Sequence, residues 1–552
     1  MQINKTLIWN LLLFSFLKGF SQTTHLQQQS RYLQLLDRLE IKQGHLSDRV
    51  FTGLRPFERR GLIEDTPTVQ LNATESYMYN SLLMNNQEWY QGDKKRYASR
   101  KPLLKFLYQT PAYAYAHYGK DYFVAIDPLI HYRQSFSNES SGENLFLNQR
   151  GLSLRGGVAN QVGFSASVMD VQERAPLFLR QWEDSLQSVP GANFYKRFKN
   201  TGFDYIDARG SFTFRANKYI QFQAGYDRNF IGSGYRSLIL SDFAGNNLFV
   251  KINTRFWKMN YQNLFMELHA GASDNTRNYL VPKKYASMHH LSMNVLPWLN
   301  VGLFEAVVFG RKDRFEFGYL NPVIFLRSIE GNLGSQDNAL IGADFKAVLL
   351  KRIQVYGQFM LDEFNISKLR QDASWWGNKT GIQAGFKYVD VAGIQNLDIQ
   401  GEWNRVRPFT YSHFDSVSSY THYNQPLAHP LGANFNELVG VIRYHPIGRL
   451  NITARIIAWK QGLDSAGGYN SGSDLFRLSN DGRASEFGYK QLNGVLSKGL
   501  NAGVIISYEV RENIFLDAHA MLRKQKTAEN SNQVFLFGLG LRMNLWYRDY
   551  DY

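Results

Sequence analysis

The stretch Val534–Trp546, VFLFGLGLRMNLW, decides the fold. Phe535, Phe537, Leu539, Leu541, Met543 and Leu545 fall on one side of a period-2 strand. Val534, Leu536, Gly538, Gly540, Arg542 and Asn544 fall on the other. Successive side chains of a strand point to opposite faces. One unbroken apolar face against a small, mixed or polar face suits a strand with lipid outside and a wet lumen inside. In hydrocarbon every backbone N–H and C=O must pair within the protein, so strands span only as a closed barrel.

The same unit recurs upstream. Leu450, Ile452, Ala454, Ile456 and Ala458 oppose Asn451, Thr453 and Arg455; Ile514, Leu516, Ala518, Ala520 and Leu522 oppose Asp517 and His519. Eighteen such stretches run from Asp121–Arg133 to Val534–Trp546, with sixteen the nearest alternative. The expected fold is all-β: an outer-membrane antiparallel β-barrel of about 18 strands with a small N-terminal helical or plug segment. Aromatics at 15% of residues fit the girdles of such a barrel.

Residues 1–21 have the layout of a secretory signal: Lys5, an apolar run from Leu7 to Leu17, then Gly19 and Ser21, with cleavage expected after Ser21. Residues 22–120 are polar and interrupted by Pro56, Pro67, Pro102 and Pro111. Ser30–Glu40 and Glu75–Trp89 have helical apolar spacing. This region is expected to be a periplasmic or plug segment, and residues 121–552 the barrel. The chain has no cysteine, which excludes a lipidated-cysteine anchor, disulfides and thiolate metal sites. The excess of 62 Lys and Arg over 47 Asp and Glu gives a net charge of +15. That favours anionic partners such as lipid headgroups or acidic polysaccharide; the export signal sets nucleic acid aside. Four connections are too long for tight turns: Gln172–Asp204, Gly310–Asn338, Arg405–Asn434 and Lys460–Lys498. Long loops are often functional.

Three stretches are more specific than a generic barrel requires. They are Gly225–Asp242 (GYDRNFIGSGYRSLILSD), Tyr319–Phe325 with Glu330 and Gly334–Asn338, and Glu402–His413 with Tyr420–Asn434. Together with Leu36–Ile41 and Arg55–Phe57 they resemble the Bacteroidetes branch of the capsule-assembly Wzi family, some members of which are labelled gliding-motility protein RemB. The resemblance implies an eighteen-stranded barrel of the cell outer membrane with inward-folded loops and periplasmic helices. It implies a lectin-like, non-enzymatic role: noncovalent attachment of surface or capsular polysaccharide, or support of gliding together with gliding-machinery proteins. No cofactor is expected.

Sugar binding needs flat aromatic faces together with amides, carboxylates or Arg, whose planar fork suits acidic groups. Trp403, Arg405, Arg407, Tyr411, His413, Tyr420, His422, Tyr423 and Asn424 supply that mixture. The bland alternative is that they pack a loop into the barrel. Asp227, Arg228, Arg236 and Asp242 are expected to form a lumen charge cluster, and Glu330, Asp337 and Asn338 to anchor a plug. Gly225, Gly232 and Gly234 lack nucleotide-binding spacing. His413, His422 and His429 match no zinc pattern. Ser287 and His289 lie two apart on one strand face, so a nucleophile–base pairing is open, but no third, orienting group is identifiable. Competing roles are a channel for anionic solutes and a structural part of gliding or adhesion machinery.

Overall fold

The computed structural model describes residues 23–552 apart from 27–30, 101, 140–142, 160, 200, 272–279, 324, 334–336, 364 and 466–467. The expected signal segment therefore lies outside the described residues.

Eighteen antiparallel strands close into one barrel. They are β1 Tyr122–Ser137, β2 Leu145–Val158, β3 Val162–Arg174, β4 Gly202–Arg215, β5 Ile220–Asp227, β6 Asn247–Phe256, β7 Met259–His269, β8 Lys283–Leu296 and β9 Leu299–Phe309, followed by β10 Asn338–Leu349, β11 Ile353–Glu363, β12 Lys379–Tyr388, β13 Leu397–Val406, β14 Phe435–Ile447, β15 Leu450–Leu463, β16 Val495–Arg511, β17 Ile514–Lys526 and β18 Ser531–Met543. Closure is the β18–β1 pairing, from Leu536 opposite Ser137 to Met543 opposite Ile130. With that pairing no strand edge is left to hydrocarbon.

The two faces follow the alternation. Ile206, Phe212 and Leu539 are 68%, 66% and 69% exposed on the outer wall. Their neighbours Leu536 and Arg542 are buried inside. Arg542 is paired there with Asp517 at 2.9 Å, and Asp517 accepts from Ser507 at 2.5 Å. No helix among the described residues is long and apolar enough to cross a membrane; the strands cross it. At one end the strands join through tight turns such as 297–298, 350–352 and 512–513; the long connections all lie at the other end. That asymmetry makes the turn end periplasmic and the loop end extracellular.

The periplasmic end holds α1 (Tyr32–Gln43), α2 (Arg59–Glu64) and α3 (Ala73–Met84). Gly44, at φ 72°, stops α1 by donating to the carbonyls of Glu40 and Ile41. Asn72 and Glu75 start α3 with a reciprocal capping box. Charge pairs bind this segment to the barrel: Arg31 to Glu509 and Glu512 (2.5 Å each), Arg255 to Glu58 (2.5 Å), Arg155 to Glu88, and Arg215 to Glu58.

From there the chain climbs into the lumen. Leu54–Arg55 pairs antiparallel with Phe230–Ile231, part of the loop between β5 and β6. Gly232 N donates to Gly53 O at 2.8 Å, so segments from the two ends meet inside the barrel. The loop between β13 and β14 packs on the same material. Leu238, Ile239, Leu240, Tyr411, Tyr420 and Leu427 share one buried cluster with inward wall residues such as Leu264, Met288 and Phe304.

The final strand ends at Met543, three residues earlier than the alternation suggests. Asn544 turns in the left-handed region at φ 55°, tied to Pro128 O at 2.8 Å, and residues 547–552 enter the lumen. There Arg133 donates to Arg548 O at 2.7 Å, Arg455 pairs with Asp549 at 2.6 Å, and Arg523 donates to Tyr552 O at 2.6 Å.

One long connection lies elsewhere. The described residues of 310–337, with α4 (Leu326–Leu333), fold over the outside of the wall. Tyr319 and Leu326 bury against the outward Tyr285, Val307 and Phe309.

Candidate functional site

The third motif is mostly interior. Tyr411 donates to Leu238 O and Tyr420 to Ile239 O, each at 2.7 Å, and their rings stack 5.7 Å apart. The aromatic pair thus spends its hydroxyls on backbone carbonyls of the first motif. His422 Nδ1 accepts from His269 N at 3.1 Å, and its Nε2 lies 3.0 Å from Asn246 O, so Nε2 carries the proton. His413 is buried against Phe414, its Nδ1 accepting from Asp415 N at 3.3 Å. Trp403 faces outward on β13, 37% exposed, on the side of lipid rather than glycan. The alternation across Glu402, Trp403 and Asn404 dictates that. Arg405, Arg407, Tyr423 and Asn424 keep partial exposure at the extracellular end. Arg407 donates to Asn378 O (2.7 Å), Ala373 O (3.0 Å) and Tyr489 O (3.2 Å), and Arg405 to Gln491 at 3.3 Å. Tyr423 stacks on His269 at 4.5 Å, and Asn424 donates to Leu186 O at 2.9 Å.

The expected single charge cluster is two. Asp227 lies 3.8 Å from Arg209 and accepts from Arg228 N at 2.8 Å. Arg228 itself holds backbone carbonyls, Asp242 O at 3.0 Å and Gly191 O at 2.7 Å; the Asp242 contact is through its backbone. Arg236 sits in a separate network with Asp551 (3.3 Å) and Glu437 (3.6 Å). The residues between them turn the loop, so sequence proximity does not become contact.

Asn338 does anchor the lumen loop, donating to Ser418 O at 2.9 Å. Asp337 does not. It takes Arg311 (2.6 Å) and Tyr319 OH (2.6 Å) and so fastens the outer cover. The side chain of Glu330 lies outside the described residues. Among the described residues no group of His and carboxylates is placed to hold a metal.

Sequence reasoning passed over the extracellular rim beside Arg407. Arg483 lies 4.0 Å from the centroid of Trp376, with Lys379 Nζ 5.2 Å from the same ring; the exposed Lys490 follows in the Arg483 loop. Trp376 and Arg483 belong to different loops, so no local pattern announces the pair. A cavity of about 170 Å³ lies deeper, between the N-terminal segment and the wall, lined by Arg31, Arg59, Arg155, Arg209 and Arg542. It falls below the ~300 Å³ of the smallest ordinary ligand pockets.

Burial pushes the His422 imidazole down to about 3, against the help of its bond to Asn246. Between that value and the ordinary ~6.5 of a free imidazole, the unfolded loop binds a proton that the folded loop refuses. Stability of the folded loop therefore falls as pH falls through this window, by roughly 1 kcal/mol per unit. Protection factors across 407–434, each rate taken against the intrinsic amide rate at the same pH, should fall from pH 7 to pH 4 in the native protein. His422→Gln should flatten the dependence; an unchanged slope would refute the role.

A solved Escherichia coli outer-membrane protein, Wzi, described as a carbohydrate-binding β-barrel involved in group 1 capsule assembly, superposes with a TM-score of 0.56 at 12% identity, covering 96% of this chain and 100% of that one. Acinetobacter baumannii OccAB2 gives 0.42 at 9% identity over 76% of this chain and 97% of its own; Pseudomonas aeruginosa OprD gives 0.40 at 10% over 76% and 94%. No curated protein sequence matches. The family model for capsule assembly protein Wzi matches residues 131–520. That span reaches from β1 into β17 and takes in all three motifs, so the chain belongs to the Wzi family of capsule assembly proteins.

Proposed function

We propose that this outer-membrane barrel binds a surface or capsular polysaccharide noncovalently at its extracellular end and so supports capsule attachment. The observation that carries this reading is the filled lumen. Chain from both ends meets at Leu54–Arg55 and Phe230–Ile231, and a large hydrophilic ligand then has only the loop surface to engage. That surface offers what an acidic glycan requires: the Trp376 ring under Arg483, the partly exposed Arg405 and the exposed Lys490. Tyr411, Tyr420 and His422 act behind it, fixing the loop.

Purified protein should retain the organism's own surface polysaccharide. Trp376→Ala and Arg483→Ala should each weaken retention about tenfold, the value of one charge-assisted or stacked contact. A deletion strain should shed capsule. No retention, with capsule intact in the deletion strain, would overturn the reading; a motility defect with capsule intact would favour the gliding role.

A further inference from the structure

The outward face of β7, β8 and β9 carries a polar row where lipid would be expected. In register, Asn263 stands opposite His289, and His289 opposite Glu305. Ser287 is two residues from His289 on the same face. All four are buried: Ser287 and His289 at 0%, Asn263 at 3% and Glu305 at 6% exposure. Glu305 supplies the orienting group that Ser287 and His289 lack in the sequence. Its Oε1 lies 2.9 Å from His289 Nδ1. A carboxylate there holds the proton on Nδ1 and leaves Nε2 as the basic nitrogen. His289 Nε2, Ser287 Oγ and Asn263 Oδ1 have no hydrogen-bond partner among the described residues. Buried polar atoms are rarely left so, and the cost is greater on a membrane-facing wall.

Packing alone explains part of this. Glu305 also accepts from Phe325 N at 2.6 Å and Leu326 N at 3.0 Å, and so pins the start of α4 to the wall. That role calls for Glu305. It calls for neither a histidine with a bare Nε2 nor a serine beside it. Phe325, where the cover meets Glu305, is held at φ 114°, a region bulky residues avoid. Ile341, paired with Glu305 on β10, and Leu303 remain exposed to lipid, so the row borders hydrocarbon once the cover lifts.

We propose that Ser287, His289 and Glu305 form a nucleophilic site for acyl esters of membrane lipid, closed by the 310–337 cover and separate from the glycan surface. Ser287 Oγ attacks the ester carbonyl carbon while its proton passes to His289 Nε2. The bond from that carbon to the alcohol oxygen breaks, and the alcohol leaves with the proton. Water then adds to the acyl-serine, giving a proton to Nε2. The Oγ–carbon bond breaks, Ser287 recovers the proton and a fatty acid departs. Glu305 is a positioning residue. In unliganded sites the nucleophile–base contact is often open, as here, and closes with substrate.

The test treats the full chain, folded in detergent and in phospholipid vesicles and checked by heat-modifiable mobility, with a reporter fluorophosphonate. The reagent bonds phosphorus to a nucleophilic Oγ and expels fluoride. Mass spectrometry should find the adduct on Ser287. Ser287→Ala should abolish it, and His289→Ala should slow it about 100-fold or more. Leu326→Ala, which loosens the cover, should speed it. Glu305→Ala should lose labelling, while Glu305→Gln, still an acceptor for Nδ1, should recover part. Fatty-acid release from the vesicles should follow the same order. No Ser287 adduct in either the native protein or Leu326→Ala would overturn the site; so would an adduct indifferent to His289→Ala.

Discussion

Planar bilayers containing the native protein should show no steady conductance, and a variant stripped of both seals should show large steps with a modest anion preference. The variant lacks residues 23–111 and has 229–245 and 408–433 each replaced by a short turn. Eighteen strands enclose a lumen wide enough for an aqueous channel unless something fills it. Here the N-terminal segment fills it from the periplasm and the β5–β6 and β13–β14 loops from outside, joined at Leu54–Ile231 and Arg55–Phe230. Either deletion alone leaves one seal, so the two effects should be far from additive. The sign of selectivity follows from the partners lost. Arg155 is neutralised by Glu88, and Arg215 and Arg255 by Glu58. Removing residues 23–111 frees Arg155, Arg215, Arg255, Lys346 and Lys387 from their carboxylates but also frees Glu509, Glu512, Asp390 and Asp398 from Arg31 and Arg38, so the cations outnumber the carboxylates by one and the anion preference should be modest. Conductance in the native protein would revive the channel role; cation preference in the variant would refute the assignment of the arginines.

The strands were legible because the membrane imposes one simple rule on them. With lipid outside and a lumen of mixed polarity inside, each strand must alternate, and all eighteen expected stretches coincide with strands to within a few residues. The rule fails where its cause ends. Asn544 and Leu545 continue the alternation of β18, yet Asn544 turns the chain inward because the lumen arginines offer the following Arg-Asp-Tyr-Asp-Tyr run better partners than water does. The three motifs were legible as interruptions, but not what they touch. Tyr411 and Tyr420 carry the composition of a sugar platform, and only the fold shows their hydroxyls committed to Leu238 O and Ile239 O. Arg228 and Arg236 are eight residues apart and serve different networks. His289 and Glu305 are sixteen apart and face each other, because a hairpin register pairs residues equidistant from its turn at 297–298. Contacts of that kind depend on where the turn falls, which composition does not specify.

Replacing Arg38 with Met should release the N-terminal segment while the barrel stays folded. Arg38 is 1% exposed. Its guanidinium reaches Glu75 at 2.8 Å and Asp390 at 2.8 Å, pairs with Asp398, and contacts Asn396 at 3.3 Å. One side chain on α1 thus holds α3, the β12–β13 turn and the foot of β13 together. Lys42 supports only part of this, at 2.7 Å from Glu75 and 3.5 Å from Asp390. Removing one member of a buried charge network costs about 3–5 kcal/mol, because the partners stay buried without compensation. Lys cannot rescue fully, since an ammonium lacks the fork that meets three carboxylates at once. Burial alone would raise the Glu75 carboxyl, but bonds from Lys42 and Arg38 hold it below its ordinary value. A depressed carboxylate stabilises above its unfolded pKa, and that contribution is lost as pH falls through the folded value. Docking should therefore weaken on acidification in the native protein and change less with pH in Arg38→Met. Limited proteolysis read against heat-modifiable mobility separates the two parts. The expected result is cleavage within 44–120 at protease levels that spare the native chain, with the barrel still migrating as folded. The double variant Arg38→Met with Asp398→Asn should recover part of the loss, since one stranded charge is gone; equal resistance of Arg38→Met and native protein would show that the interdigitated lumen segments, and not this network, fasten the plug.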